Sequence, residues 1–234
     1  MELEEKLMFE GWANLPQFKK KVDQAKSITK QALEIAPAYV AVSWGKDSVV
    51  MLHLCQQVQP DIVAIFLTDH EQENFGNYSD VIKQYLDKYQ TNYLELDFIG
   101  DRIPHKFEAA ELWKTYPVAF QGLRLEEGGK RKFSLNKYGH TYQLTNGSYR
   151  VCPLIYWGWK DIWAYIVLNN LPYLDVYDHP INSDRSKSRS CNLLAKEQGN
   201  TKAVETGRIA RLRLLNPEYY NYLQENYPHL ASAT

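Results

Sequence analysis

The chain has 234 residues and 27.3 kDa, with 27 Lys+Arg against 28 Asp+Glu, 44% apolar and 13% aromatic residues, and three cysteines. This composition belongs to a packed globular protein and excludes a mainly disordered or fibrous chain. No run approaches the roughly 18 to 20 apolar residues that span a bilayer. The acidic start Met1-Glu2-Leu3-Glu4-Glu5 lacks the pattern of a signal peptide, so the expectation is a soluble, cytoplasmic protein without a membrane partner. Cys55, Cys152 and Cys191 are scattered and odd in number, which reads as reduced thiols.

Phe18, Val22, Ala25, Ile28, Ala32 and Ile35 recur at helical spacing up to Pro37. Tyr39 to Ser43 predicts a buried strand, and Trp44-Gly45-Lys46 turns the chain into a helix over Asp47 to Val58. Ile62 to Leu67 predicts a second buried strand, Ser79 caps a following helix, and Asn92 to Leu96 is a third strand. Arg102 to Trp113 reads as mostly helical, Gly122 to Gly147 as loop-rich and basic, and Trp159 to Asn169 as a helix stopped by Pro172. Asp178 to Cys191 has no apolar period and reads as an exposed loop suited to a lid, followed by helices over Thr201 to Leu214 and Pro217 to Tyr227. The alternation predicts an α/β fold, a doubly wound and mainly parallel sheet with its ligand at the carboxyl ends of the strands, and a helical C-terminal extension. Residues 1–177 form the nucleotide-binding domain in this division. Residues 178–234 form a basic loop and closing helices of the same globular unit.

Charge is unevenly placed. Arg185 to Leu214 carries eight basic and two acidic residues, a local charge of +6 within a chain whose net charge is −1. Such a segment suits an anionic ligand or nucleic acid, and equally a solvated basic face.

Ser43-Trp44-Gly45-Lys46-Asp47-Ser48, between a buried strand and a helix, has the make-up of a phosphate loop. A helix N-terminus offers backbone N–H groups and partial positive charge, Gly45 permits close approach, Ser43 and Ser48 add hydroxyls, and Lys46 adds a full charge. It matches neither GxxxxGK[ST] nor GxGxxG.

The loop resembles the SGGKDS pyrophosphate loop of the ATP pyrophosphatase superfamily, with Trp44 in place of the first glycine. Gly122-Leu123-Arg124-Leu125-Glu126-Glu127, then Lys130-Arg131, resembles the G-[IL]-R-R-x-E segment of the branch that contains phosphoadenosine-phosphosulfate (PAPS) reductases and sulfate adenylyltransferase small subunits. Val151-Cys152-Pro153-Leu154-Ile155-Tyr156-Trp157 with Asp161-Ile162-Trp163 resembles that branch's K-x-x-P-L-x-x-W…D-V-W stretch. The likeness covers Tyr39 to Tyr177.

The resemblance implies that Ser43, Trp44, Gly45, Lys46, Asp47 and Ser48 hold the β- and γ-phosphates of ATP or the matching phosphate of a sulfonucleotide. Arg124 would reach the α-phosphate, Arg131 would assist, and Thr68 and Asp69 at the second strand's end would border the adenine, although His70 and the inverted T-D order depart from the family's V-D-T-G. Lys46 and Arg124 are the catalytic candidates, and Mg2+ is the expected bridge between phosphates. Trp157, Trp163 and Cys55 read as core. Sulfonucleotide reductases of the branch use an E-C-G-L-H cysteine, and many hold an iron–sulfur cluster through paired cysteines. Neither pattern occurs in this sequence, so no cluster is expected, and Cys191, in a basic loop, is the candidate sulfur acceptor.

The implied activity is cleavage of ATP to AMP and pyrophosphate to adenylate an acceptor in sulfur transfer. DNA phosphorothioation is the setting favoured by the basic segment, with a sulfur-donor protein such as a cysteine desulfurase and DNA as partners and a homo-oligomer as a possible assembly. The alternatives are a PAPS reductase, a sulfate adenylyltransferase-like enzyme, or a non-catalytic nucleotide sensor and scaffold.

Overall fold

A computed structural model describes residues 1–68, 74, 76–97, 111–127, 129–180, 184–186 and 208–226. Two helices open the chain, α1 (Leu3–Ala13) and α2 (Pro16–Leu33), followed by β1 (Ala38–Val42), α3 (Lys46–Gln56), β2 (Val63–Thr68), α4 (Tyr78–Lys88) and β3 (Asn92–Asp97). After α5 (Leu112–Thr115) come β4 (Val118–Phe120), a 3-10 turn (Leu125–Glu127), α6 (Gly129–Tyr138), β5 (Thr141–Gln143), β6 (Tyr149–Val151), α7 (Trp159–Asn169) and a 3-10 turn (Asp175–Tyr177). α8 (Arg208–Leu215) and α9 (Pro217–Asn226) close the described part.

The strands form one sheet in the order β3-β2-β1-β4-β6-β5, and β5 alone runs antiparallel, against β6. Chain direction across the sheet reverses between β1 and β4. The crevice at their carboxyl ends is where a doubly wound sheet presents its ligand site.

β1 shows how the two faces are built. Val40 and Val42 join the main core with α2, α3, α4 and α7, while Tyr39 packs on the opposite face with Val63, Ile65 and Leu112. The period of two sorts one strand's side chains between two cores. Helix α3 lies between sheet, α2 and α7, and from Ser48 to Gln56 every residue is buried. A helix that is apolar all round is one enclosed on all sides.

Asp161 ties the opening helices to this core. Its carboxylate accepts the Trp12 indole N–H at 2.9 Å, the Lys21 ammonium at 2.5 Å and the Gly158 backbone N–H at 2.7 Å, the last capping α7. The D-I-W part of the third motif is therefore a structural tie, and Trp163 beside it is fully buried.

Several expectations are corrected. The opening helix α1 is not anticipated, because its apolar residues do not segregate to one side: Leu3, Leu7 and Met8 are exposed while Phe9 and Ala13 are buried. Helix α2 closes at Leu33, ahead of Pro37, and α4 begins at Tyr78 behind Asn77, so Ser79 is a first-turn residue. The segment read as loop from Gly122 to Gly147 contains α6 and β5, and strands β4, β5 and β6 were missed because three residues are too few for a period to register. Helix α7 ends at Asn169, as expected, but its stop is Asn170, whose φ of 48° is left-handed, two residues before Pro172. The helix expected over Arg102 to Trp113 falls mostly outside the described residues. Among the described residues no helix is long and apolar enough to cross a membrane.

Under α3, the His53 ring meets the Tyr165 hydroxyl at 3.0 Å inside a cluster of tyrosines. Burial, helped by the Lys88 and Lys26 ammoniums, pushes its pKa from 6.5 down to about 4. A base whose folded pKa is depressed contributes stability that is whole above the unfolded value and is lost as pH falls from there toward the folded value. The urea unfolding free energy should fall by about 2 kcal/mol between about pH 7 and pH 5, above the range in which carboxylates titrate. His53→Gln should remove most of that slope, and an unchanged slope would place the proton uptake elsewhere.

Candidate nucleotide site

Strand β1 delivers the chain into the loop Ser43–Ser48 at the switch point. Trp44 has φ of 56°, the left-handed region that a side chain enters at a cost. Its indole is fully buried, edge-on to Tyr85 at 5.6 Å and Tyr93 at 5.7 Å between ring centroids. The resemblance has glycine at this position, and the backbone shows why. In this chain the buried aromatic area offsets the strain. The Trp44 side chain thus serves the core, and only its backbone borders the loop.

Gly45 caps α3. Its carbonyl accepts the Ser48 and Val49 N–H groups at 3.0 and 3.1 Å and the Ser48 hydroxyl at 2.9 Å. The Ser48 oxygen in turn accepts the Ser43 N–H at 3.1 Å and the Ser43 hydroxyl at 3.3 Å. Both serines therefore hold the loop's shape as well as offering hydroxyls.

Lys46, Asp47 and Arg124 form the charged centre. The Asp47 carboxylate takes the Lys46 ammonium at 3.2 Å on one oxygen and the Arg124 Nε at 2.5 Å on the other. Arg124 also donates Nη1 to Glu126 at 2.5 Å, and its side chain is 5% exposed. Burial alone would raise the Asp47 pKa, but Lys46 and Arg124 outweigh it and hold the carboxyl below its ordinary value. Burial likewise opposes the Lys46 charge, and Asp47 and Tyr177 overcome it, so the ammonium is held above its ordinary pKa.

Gly122 makes this pairing geometrically possible. An added Cβ would lie 2.6 Å from the Asp47 carbonyl oxygen and 3.0 Å from the Ser48 nitrogen. The segment leaving β4 thus crosses the first turn of α3 backbone to backbone, and Arg124, two residues on, meets Asp47.

Tyr177 is the residue that sequence reasoning missed. It is buried, its hydroxyl accepts the Lys46 backbone N–H at 3.3 Å, and the Lys46 ammonium lies over its ring, 5.2 Å from the centroid. Nothing in the sequence signals it, since 131 residues separate the two. Arg185, counted in the basic segment, is also turned inward. It makes a two-pronged pair with Glu5 at 2.7 Å, a further pair with Asp178 at 2.6 Å and a hydrogen bond to the Tyr177 carbonyl at 3.3 Å. Its charge belongs to the fold, so this first member of the +6 segment is no exposed anion contact.

Thr68 ends β2 and is buried. Asp69 and Cys191 lie outside the described residues, as does the Arg131 side chain. The two described cysteines are buried singly, Cys152 with its thiol pushed up by burial to about 12 and Cys55 well above its ordinary value for the same reason. Among the described residues no three His, Cys, Asp or Glu side chains form a metal cluster, and both Asp47 oxygens are engaged by cations. The described donors thus form no all-protein cage for a divalent cation.

Residues 37–183 match the family model for the phosphoadenosine phosphosulfate reductase domain. The chain belongs to this family. It is 30% identical over 165 residues to the adenosine 5'-phosphosulfate reductase of Lysinibacillus sphaericus (strain C3-41), covering 59% of this chain and 66% of that protein. It is 27% identical over 193 residues to the enzyme of the same description from Bacillus cereus (strain AH187), covering 69% and 76%. PAPS reductase from Candida auris, solved as a phosphate complex, superposes with a TM-score of 0.51 at 14% identity over 76% of this chain and 92% of that one. FMN adenylyltransferase from Candida glabrata, with FMN and an ATP analogue, gives a TM-score of 0.58 at 15% identity over 74% and 66%. These two structures share the fold, and the PAPS reductase domain of this chain places its loop and Arg124 at the switch point of that fold.

The Gly122 contact has a measurable consequence. Gly122→Ala should cost about 1–3 kcal/mol of stability, because two backbones must separate. Nucleotide affinity should fall along with it, since Arg124 is then drawn away from Asp47. A variant of wild-type melting temperature and affinity would show that the two segments do not meet.

Proposed function

We propose that this PAPS reductase-family domain binds ATP at Ser43–Ser48 and promotes attack of an acceptor oxygen or sulfur on the α-phosphorus, with pyrophosphate as leaving group. One observation carries the reading: two buried cations, Lys46 and Arg124, are joined by Asp47 at the switch point of the sheet. Cations placed where charge accumulates on the leaving pyrophosphate lower the barrier. Glu126 is the more exposed of the two carboxylates paired with Arg124, its side chain 42% exposed. Exchanging Glu126 for a phosphate oxygen lets Arg124 reach the α-phosphate while Asp47 still orients it. Mg2+, carried in on the nucleotide, supplies further neutralisation of the phosphates. A sulfide-level sulfur nucleophile delivered by a donor protein then displaces AMP from the adenylated acceptor, AMP leaving with the bridging oxygen, and DNA phosphorothioation is the setting we favour.

Reduction of a sulfonucleotide is the second reading, and the curated relatives favour it. It needs a reactive thiolate, and Cys55 and Cys152 are buried thiols of raised pKa. Cys191 is then the residue on which reduction would depend.

Incubation with Mg2+ and α-labelled ATP, with and without DNA, separates the readings. AMP and pyrophosphate should form in wild type and Cys191→Ser alike and drop at least about a hundredfold in Lys46→Ala, as for loss of one electrostatic donor. ADP would contradict α-phosphate chemistry. Sulfite release from a sulfonucleotide with added thiol, abolished by Cys191→Ser, would establish reduction instead.

A further inference from the structure

We infer that the surface formed by α6 and the sheet edge β5–β6 binds single-stranded nucleic acid, with Phe133 stacking on a base and Lys132, Lys137 and Arg150 meeting the backbone. Residues 128–160 contain six Lys or Arg and not one Asp or Glu, and four of the six basic residues lie on α6. The same stretch is interleaved with aromatic rings, and the structure shows where they stand. Phe133 is 73% exposed, and Lys137 is one helical turn further along the same face.

The patch is continuous with the sheet edge. Lys137 lies over the Tyr138 ring at 4.9 Å, Tyr138 stacks on Tyr142 at 5.2 Å, and the Arg150 Nη1 donates to the Tyr142 hydroxyl at 3.2 Å. Tyr142 and Arg150 are cross-strand partners in β5 and β6, so both project from one face of the sheet. Arg150 Nε is buried and has no hydrogen-bond partner among the described residues. Two cations are thus held by a fixed pair of rings, beside a third on α6 and a phenylalanine whose ring is open to solvent.

This combination selects the ligand. Cations alone serve any polyanion, whereas an exposed phenylalanine among them gains only from a partner with flat apolar faces, and an unpaired base supplies one. In a duplex those faces are already stacked. Of the basic segment identified in the sequence, the first member Arg185 is internally paired.

The location also fits an acceptor. Leu135 of α6 packs with Cys152 and Ile155 against Leu123 and Leu125, the two residues that flank Arg124. A strand lying on α6 is therefore anchored next to the segment that reaches for the α-phosphate. As an identification of the acceptor the inference rests on the adenylation reading, but binding is measurable without nucleotide or turnover.

Fluorescence anisotropy with a labelled single strand of about 20 nucleotides at about 50 mM salt tests it directly. Wild type should bind, with affinity falling as salt rises at a slope of about −2 for three phosphate contacts. Lys137→Glu should weaken binding about tenfold and flatten the salt slope. Phe133→Ala should weaken it about fivefold to tenfold with the slope unchanged, and Phe133→Trp should restore it. Charge reversal at the distant, exposed Lys30 should leave binding intact. All of these positions are on the surface, so near-UV circular dichroism should be that of wild type. The inference is overturned by no binding at low salt, by binding indifferent to the Phe133 and Lys137 variants, or by equal or tighter binding of duplex or polyglutamate. Binding without ATP cleavage would sustain the surface and remove the adenylation reading.

Discussion

The arrangement depends on one half-buried carboxylate. Asp47 stands between Lys46 on its own helix turn and Arg124 on the segment that leaves β4, and neither cation is exposed to water. Withdrawing these charges from solvent is costly, and an ion pair that loses one partner leaves a buried charge uncompensated. The three groups are therefore interdependent, and the two strand-end segments that carry them are held in one relative position. Asp47 holds the two cations together and outweighs their mutual repulsion, so on the proposed nucleotide reading they are arranged before a phosphate arrives.

Around this centre the polar contacts are supported by aromatic packing. Trp44 occupies a left-handed backbone position and fills the space under the loop against Tyr85 and Tyr93, while Tyr177 covers Lys46 from the other side. Such rings restrict the loop at small conformational cost, since each has few rotatable bonds. The same loop sequence on a less aromatic scaffold would have glycine where this one has Trp44, and would trade packing for freedom.

The opening helices and the segment after α7 serve the site indirectly. Asp161 binds groups from α1 and α2, and Arg185 joins Glu5 of α1 to the carbonyl of Tyr177. The family match covers residues 37–183, so α1 and α2 lie outside it, yet they lock elements that hold the Ser43–Ser48 loop. Charges that look available in the sequence are spent inside the fold. Lys132 and Lys137 of α6, by contrast, are exposed to solvent.

The turn Ser43–Ser48 between its strand and helix, the three longest strands and the mainly parallel α/β class were legible in the sequence. Each is a local pattern: an apolar run of five or six residues, a helical period, or a glycine and serines at a strand end. The pairing of Arg124 with Asp47 was half legible, because the motif order named both residues but only the backbone crossing at Gly122 joins them. Strands of three residues were not legible, because pairing with neighbours and not their own period makes them strands. Nor were Tyr177 over Lys46 or the inward turn of Arg185, since a charge or a ring acquires its role from what the chain brings beside it. Local chemistry was written in the sequence, whereas the partners of Lys46, Arg124 and Arg185 were decided by tertiary structure, because Coulomb and aromatic contacts act over a few ångströms of space whatever the separation along the chain.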